Sequence, residues 1–170
     1  MRFNLGLAAL AATLVVATPA VAQQSSATAT AKGVVLEPVT LTWVSDLDFG
    51  TVAGSATAGT VTVDPDSGLR SAASGVTLVP SGFSRAEFQG LGQAGQTVGL
   101  TLTPPAGNVL VGPGGATVSV NSMTLDSAGA SRVLGGSGAF TVYVGGTFGI
   151  AANQANGAYS ALFQLTANYQ

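Results

Sequence analysis

The sequence predicts an all-β protein with about seven to nine short antiparallel strands. Short runs in which apolar and polar residues alternate recur along the chain, and almost every run is bounded by residues that favour turns. No amphipathic helix is visible after the first 22 residues. Many short strands at this spacing are typical of an antiparallel sandwich or barrel. No repeat of fixed length is present, which argues against a solenoid or a propeller.

The first 22 residues are typical of a secretory signal peptide. Arg2 supplies positive charge, Leu5 to Ala17 form an apolar run, and Ala20-Val21-Ala22 is a small-residue cleavage signal. The apolar run is shorter than the roughly 18 residues that cross a bilayer, and no later run approaches that length. We therefore expect an exported protein without a membrane span, whose mature chain is Gln23 to Gln170.

Residues 23–35 are predicted to form an N-terminal extension that differs in composition from the rest of the chain. Small residues alternate from Ala27 onward, so the segment can form a strand, but its apolar face is too narrow to nucleate a core. Three interpretations remain open: a strand that completes the sheet of another chain, a first strand paired within its own domain, and a disordered linker. The face that would enter a sheet consists of Ala27, Ala29, Ala31, Gly33 and Val35.

Residues 36–170 form the predicted β domain. Turn sequences separate its strands, among them Asp64 to Gly68, Pro104-Pro105 and Gly145-Gly146. In chain order, the apolar residues that alternate place strands around 39–43, 47–49, 61–63, 76–78, 98–102, 118–120, 140–144, 148–150 and 159–169.

The C-terminal strand shows the longest alternation in the chain. Its apolar face contains Tyr159 to Tyr169 at every second position, and Leu162 is the one apolar residue on the other face. Such a strand ends the chain at the edge of a sheet, where unpaired backbone groups need a cover.

Charge and cysteine content exclude several classes of function. The mature chain carries four basic and seven acidic residues, a net charge of 4 − 7 = −3, and has no basic cluster. Nucleic acid and anionic lipid are therefore disfavoured as partners. No cysteine is present and only 7% of residues are charged, so stability must come from core packing and sheet hydrogen bonds. A β-prone surface with so little charge suits a protein that assembles.

The residue types argue against an enzyme and against a cofactor. Without histidine or cysteine, the nucleophile systems and zinc sites that use them are impossible. Asp46 and Asp48 could form a hydrolytic pair on one strand face, but turn capping is the more common role of such aspartates. The segment Asp64 to Gly68 is similar to the start of a calcium loop, but Gly75 stands where a bidentate glutamate is needed, so a hairpin turn is favoured.

Aromatic residues offer few candidates for surface recognition. Trp43 and Tyr159 are in phase with apolar neighbours, which predicts that both lie in the core. Tyr143 is out of phase with Val142 and Val144, which predicts exposure and makes it the best single candidate for surface recognition.

Two positions near the C-terminus form a pattern with the alternating residues between them. Gly157 is the fourteenth residue from the end, and the aromatic Tyr169 is the penultimate one. This pattern resembles the C-terminal signature of chaperone–usher pilins. In that family a periplasmic chaperone pairs with this strand and the neighbouring groove. The resemblance therefore implies a groove and a chaperone-facing strand formed by Gly157, Tyr159, Ala161, Phe163, Leu165, Ala167 and Tyr169.

Several segments spread along most of the mature chain form a recognisable pattern, among them Leu47 to Val52, Gly59 to Asp64, Ala86-Glu87-Phe88 and Gly157 to Ser160. In their order and spacing, these segments resemble a secreted bacterial domain of unknown function, number 4402. Members look like pilin-type domains, which implies an immunoglobulin-like antiparallel β-sandwich. The chain lacks the cysteine pair of many chaperone–usher pilins, which weakens the transfer from those that have it.

These resemblances imply a structural subunit of a bacterial surface fibre. In pilins, the N-terminal extension of one subunit fills the groove that a missing final strand leaves in another. The expected partners are other copies or related subunits, a periplasmic chaperone and an outer-membrane usher. The protein would be periplasmic in transit and then lie at the cell surface or outside the cell. The alternative is a non-polymerising secreted module that binds a polysaccharide or a cell-surface partner.

Overall fold

A computed structural model describes residues 24–170, so the predicted signal peptide and Gln23 lie outside the described residues. The chain divides into two compact units, of which the first contributes residues 24–34 and the second is Val35–Gln170. Residues 24–34 are exposed and contain no helix or strand. All of the strands described below belong to the second unit.

The second unit is all-β, as predicted, and its ten strands exceed the predicted number. Two short 3₁₀ turns, Ala106–Asn108 and Pro113–Gly115, flank the sixth strand. In chain order the strands are β1 (Thr40–Ser45), β2 (Val52–Val63), β3 (Arg70–Leu78), β4 (Ala86–Leu91), β5 (Thr97–Thr103), β6 (Val109–Val111), β7 (Thr117–Leu125), β8 (Ser131–Val133), β9 (Ala139–Ile150) and β10 (Gln164–Tyr169).

The strands form two antiparallel sheets. The larger sheet has seven strands and is organised around β9, which pairs with β4 along its first half and with β2 along its second half. Strand β1 lies beyond β4, and β3 lies beyond β2. On the other side of β9, β7 pairs with it and β6 pairs with β7. The smaller sheet has three strands in the order β10-β5-β8.

Strand β9 is one long strand where the sequence predicts two strands and a turn. The predicted turn at Gly145-Gly146 lies inside β9, with β2 and β7 on its two sides. A side chain at position 145 would overlap the backbone carbonyl of Val63 and the ring of Pro65. These glycines therefore permit the close approach of neighbouring chain segments and do not form a turn.

The hydrophobic core consists of two clusters. The first cluster contains buried residues from β2, β3, β7 and β9 of the larger sheet, with Phe49 and Tyr159 packed against it. The second cluster joins the two sheets, because Leu100 of β5 and Leu165 of β10 pack with Val142 of β9. In the part of the chain that is described, the smaller sheet contributes no buried residue to the first cluster. Within residues 24–170, the first cluster is therefore buried by segments such as those of Phe49 and Tyr159, which lie outside the named strands, and not by a strand of the smaller sheet.

Strand β10 is shorter than the predicted C-terminal strand. It begins at Gln164, which pairs with Thr103 at the end of β5. Pro104 and Pro105 follow Thr103 and have no N–H group, so the ladder cannot continue upstream of Gln164. Tyr159 to Phe163 consequently lie outside the named strands, and a single bridge joins Ser160 to Val111.

Candidate functional site: an apolar groove

A groove of about 1330 Å³ lies over the first cluster. Its floor comes from the larger sheet and is apolar; it includes Leu110, Val118, Val120, Met123, Phe148 and Ile150. Residues 46–52 and residues 153–163, which lie mainly outside the strands, also line it. An apolar floor beside exposed backbone is the arrangement that binds an extended peptide by strand addition.

Side-chain hydrogen bonds hold part of the 153–163 wall in place. The hydroxyl of Tyr159 donates to the carbonyl oxygen of Ala155 at 2.6 Å and accepts a bond from Nε2 of Gln154 at 2.8 Å. The Gln154 side chain also donates to the carbonyl of Thr117, the first residue of β7. Ser160 and Val111 exchange two backbone hydrogen bonds of 3.0 Å. These bonds fix the wall up to Ser160.

The next three residues of the wall have unused backbone groups. Within the described chain, no backbone hydrogen bond involves Ala161, Leu162 or Phe163. The Leu162 side chain is 93% exposed, whereas the Phe163 ring lies edge-to-face with Phe88 at a centroid distance of 6.0 Å. Exposed, unpaired backbone donors and acceptors are a template for pairing with another strand.

The structure divides the predicted chaperone-facing residues between two places. Gly157, Tyr159, Ala161 and Phe163 line the groove. The other three, Leu165, Ala167 and Tyr169, pack in or against the second cluster. Gly157 has φ +144°, and a side chain there would overlap the Pro113 ring, so the backbone requires glycine at this position.

The penultimate Tyr169 has a structural role that the sequence did not reveal. Its hydroxyl accepts a hydrogen bond from the backbone N–H of Gln93 and donates one to the carbonyl of Glu37, both at 2.6 Å. Tyr169 therefore ties β10 to the loop after β4 and to the segment before β1.

The predicted donor residues lie in the first unit, except for Val35. Ala27, Ala29, Ala31 and Gly33 are exposed and belong to no strand. Val35, the first residue of the second unit, is 96% exposed.

Two predictions about aromatic residues are wrong. Trp43 pairs with Phe88 across β1 and β4, yet it is 60% exposed because β1 is the outermost described strand on its side of the sheet. Its indole N–H donates to Oδ1 of Asp46 at 3.1 Å. Tyr143 is half-buried under the guanidinium group of Arg85, which lies 3.4 Å from the ring centroid, and so it is not a free recognition residue. Tyr159 packs against the first cluster, as predicted.

The three described arginines serve the fold. Arg70 donates to the carbonyls of Phe49 and Val79 at 2.9 Å, and Arg85 donates to the carbonyl of Pro65 at 2.8 Å. Arg132 forms a 2.6 Å ion pair with Asp126, and each of these two side chains is only 9% exposed. The second carboxylate oxygen of Asp126 accepts the backbone N–H of Tyr143 at 2.8 Å.

Asp64 shapes the β2–β3 hairpin, whose turn has the predicted position. Its Oδ1 atom accepts bonds from the backbone N–H groups of Asp66 and Ser67 and from the Ser67 hydroxyl. The backbone bond from Ser67, followed by its side-chain bond, lowers the pKa of Asp64 below its ordinary value of 3.8. Among residues 24–170, no three acidic side chains lie close enough to hold a metal ion together. Nor does that range contain a helix long and apolar enough to cross a membrane.

Comparison with protein families gives one result. Residues 39–169 match the family described as a domain of unknown function, DUF4402. The chain belongs to this family. The DUF4402 region contains all ten strands and every residue that lines the groove, whereas the exposed N-terminal segment precedes it. Comparisons with curated proteins and with solved structures gave no match.

Proposed function

We propose that the protein is a structural subunit of a bacterial surface fibre, assembled by strand addition into the groove. The observation that carries the proposal is the apolar floor over the first cluster, which has no covering strand in the described chain. In this proposal, the two sheets form an immunoglobulin-like sandwich that is open on one side, and the second cluster is its closed part. The N-terminal segment of a second copy supplies the strand that completes it.

The unpaired backbone of the groove wall supports this assembly. An added strand would pair with Ala161 to Phe163 and continue along the outer edge of β10, which has β5 on its other side. Backbone bonds contribute about 0.5 to 1.5 kcal/mol each, so a strand of the length of residues 27–35 would contribute on the order of 5 to 10 kcal/mol before association costs. Its alternating Ala27, Ala29 and Ala31 side chains are small enough to enter a groove whose floor is already packed.

Partners and location follow from the same proposal. In this proposal the unpaired backbone of the groove wall invites non-specific strand pairing, so a periplasmic chaperone would cover it in transit and an outer-membrane usher would release it. The fibre then lies at the cell surface or outside the cell. No cofactor and no catalysis enter the proposal; Oδ1 of Asp46 and Oδ1 of Asp48 accept hydrogen bonds from Trp43 and Gly50, which is a structural use.

The decisive experiment places polar groups on one face of the N-terminal segment. Ala29→Asn with Ala31→Asn should prevent fibres, because two amides would face the apolar floor. Thr28→Asn with Thr30→Asn changes the opposite face and should leave assembly intact. Electron microscopy and sedimentation of the mature chain measure the outcome. Fibres of normal length from the alanine variants, or from a chain that lacks residues 23–35, would contradict the proposal.

The exposure of Trp43 favours a second candidate function, a non-polymerising module that binds a polysaccharide or a cell-surface partner. An exposed indole offers a stacking surface for a sugar ring. This candidate predicts a stable monomer by size-exclusion chromatography and a change in the fluorescence of the single tryptophan when an oligosaccharide is added. Concentration-dependent fibres without such a change would reject it.

A further inference from the structure

The charges of the groove are few and of one sign. Among the described residues that line it, only Asp46 and Asp48 are charged, and both are exposed at its rim. Oδ1 of Asp46 accepts the Trp43 indole N–H, and Oδ1 of Asp48 accepts the backbone N–H of Gly50 at 2.7 Å. The Oδ2 atoms of both residues have no hydrogen-bond partner within residues 24–170. The rim therefore offers two carboxylate oxygens to an incoming cation.

The N-terminal segment carries one cation that can meet them. Lys32 is the only charged residue in the first unit's described part, residues 24–34, and it is exposed. In the second unit, Arg70, Arg85 and Arg132 are all engaged with carbonyl or carboxylate oxygens, as described above. Lys32 is thus the one basic side chain of residues 24–170 without a structural bond to hold it.

Alternation places Lys32 on the opposite face of the segment from Ala31 and Gly33. If Ala31 and Gly33 face the floor of the groove, Lys32 points to the opposite side of the added strand. The floor contacts alone define the register poorly, because Ala27, Ala29 and Ala31 are identical and a shift by two residues replaces one alanine by another. A single charged residue in such a segment distinguishes one register from the others.

We propose that Asp46 and Asp48 set the register of assembly by binding Lys32 of a second copy. This inference rests on the proposed fibre function and specifies the partner: the N-terminal segment of another copy, seated so that Lys32 lies at the acidic rim. The ion pair is exposed, so it acts on register and specificity more than on total affinity, and salt weakens it.

The test uses charge reversal in the full mature chain. Lys32→Glu should raise the critical concentration for assembly about tenfold, and Lys32→Gln by about threefold, while Lys32→Arg should remain close to the parent. A groove variant with Asp46→Lys and Asp48→Lys should show a similar defect alone. When the Lys32→Glu chain and the groove variant are mixed, the opposite charges meet again in trans, and fibres that contain both chains should form.

Each outcome decides the inference. Assembly of Lys32→Glu at the parent concentration, or no rescue on mixing two folded variants, would overturn it. If the two lysines in the groove prevent folding, the variant Asp46→Asn with Asp48→Asn replaces that groove variant, because it keeps both Oδ1 acceptors. This asparagine variant should abolish the sensitivity of assembly to salt. Unchanged sensitivity would overturn the inference. The chain that lacks residues 23–35 tests the fibre function separately. If that chain fails to assemble while the Lys32→Glu chain assembles normally, the fibre function stands and only the proposed register is refuted.

Discussion

Replacing Tyr169 with phenylalanine removes one oxygen atom and two hydrogen bonds. The ring, which packs against the second cluster, stays. The backbone N–H of Gln93 and the carbonyl of Glu37 each lose a partner at 2.6 Å. With a net contribution of about 0.5 to 1.5 kcal/mol for each bond, Tyr169→Phe should lower the free energy of unfolding by about 1 to 3 kcal/mol. For a domain of this size, the melting temperature should fall by about 3 to 10 °C.

Urea denaturation and thermal melting of the monomer at low concentration measure this effect. Tyr143→Phe is the matched control, because its hydroxyl has no hydrogen bond within residues 24–170, and it should change stability by less than about 0.5 kcal/mol. The variant also separates the hydrogen bonds of Tyr169 from the proposed chaperone contact, since Tyr169→Phe keeps the aromatic ring. A loss below about 0.5 kcal/mol, or equal losses in both variants, would refute the hydrogen-bond account.

Three further variants test other parts of the structure. Asp126→Asn should destabilise the fold by about 3 to 5 kcal/mol in urea titration, because Arg132 stays buried without its counter-charge, and a loss below about 1 kcal/mol would contradict this. Gly145→Ala should lower the free energy of unfolding by about 1 to 3 kcal/mol, because the added methyl group would overlap neighbouring backbone. Gly136→Ala, which has open space around it, should leave the stability unchanged. Equal effects of the two substitutions would reject the packing argument. Asp64→Asn should lower stability above about pH 4, where the lowered pKa keeps the carboxylate charged, and the difference from the parent should shrink as the pH falls below 3.8. A difference independent of pH would show that charge at Asp64 plays no part.

The sequence predicted the all-β class because alternation and turn residues are local signals. It placed the β2–β3 turn correctly, since Asp64 to Gly68 contains its own capping groups. It failed at Gly145-Gly146, where glycine serves contacts with strands distant in sequence. The prediction that Tyr143 is exposed failed for the same reason. The group that covers its ring is the guanidinium of Arg85, which lies 58 positions earlier in the sequence.

The candidate groove was predicted only in part. Alternation at the C-terminus identified three of its lining residues, Tyr159, Ala161 and Phe163, and the resemblance to pilins added Gly157. It extended the strand too far upstream, because the start of β10 at Gln164 depends on Pro104-Pro105, which follow the partner strand β5. The opposite lining, Asp46 to Val52, was predicted only as a short strand around 47–49. Most of it lies between β1 and β2 instead, and its position depends on long-range contacts such as the edge-to-face packing of Phe49 on Phe148.

The engagement of the arginines has a consequence for proteolysis. Trypsin cleaves after lysine or arginine in extended, accessible backbone, and Arg70, Arg85 and Arg132 are held in strands or loops by their own hydrogen bonds. Lys32 lies in an exposed segment outside any strand. Brief digestion of the folded protein should therefore cut at only one of these four sites, after Lys32. The product should be a domain that has lost the alanine-rich N-terminal segment and keeps both hydrophobic clusters intact.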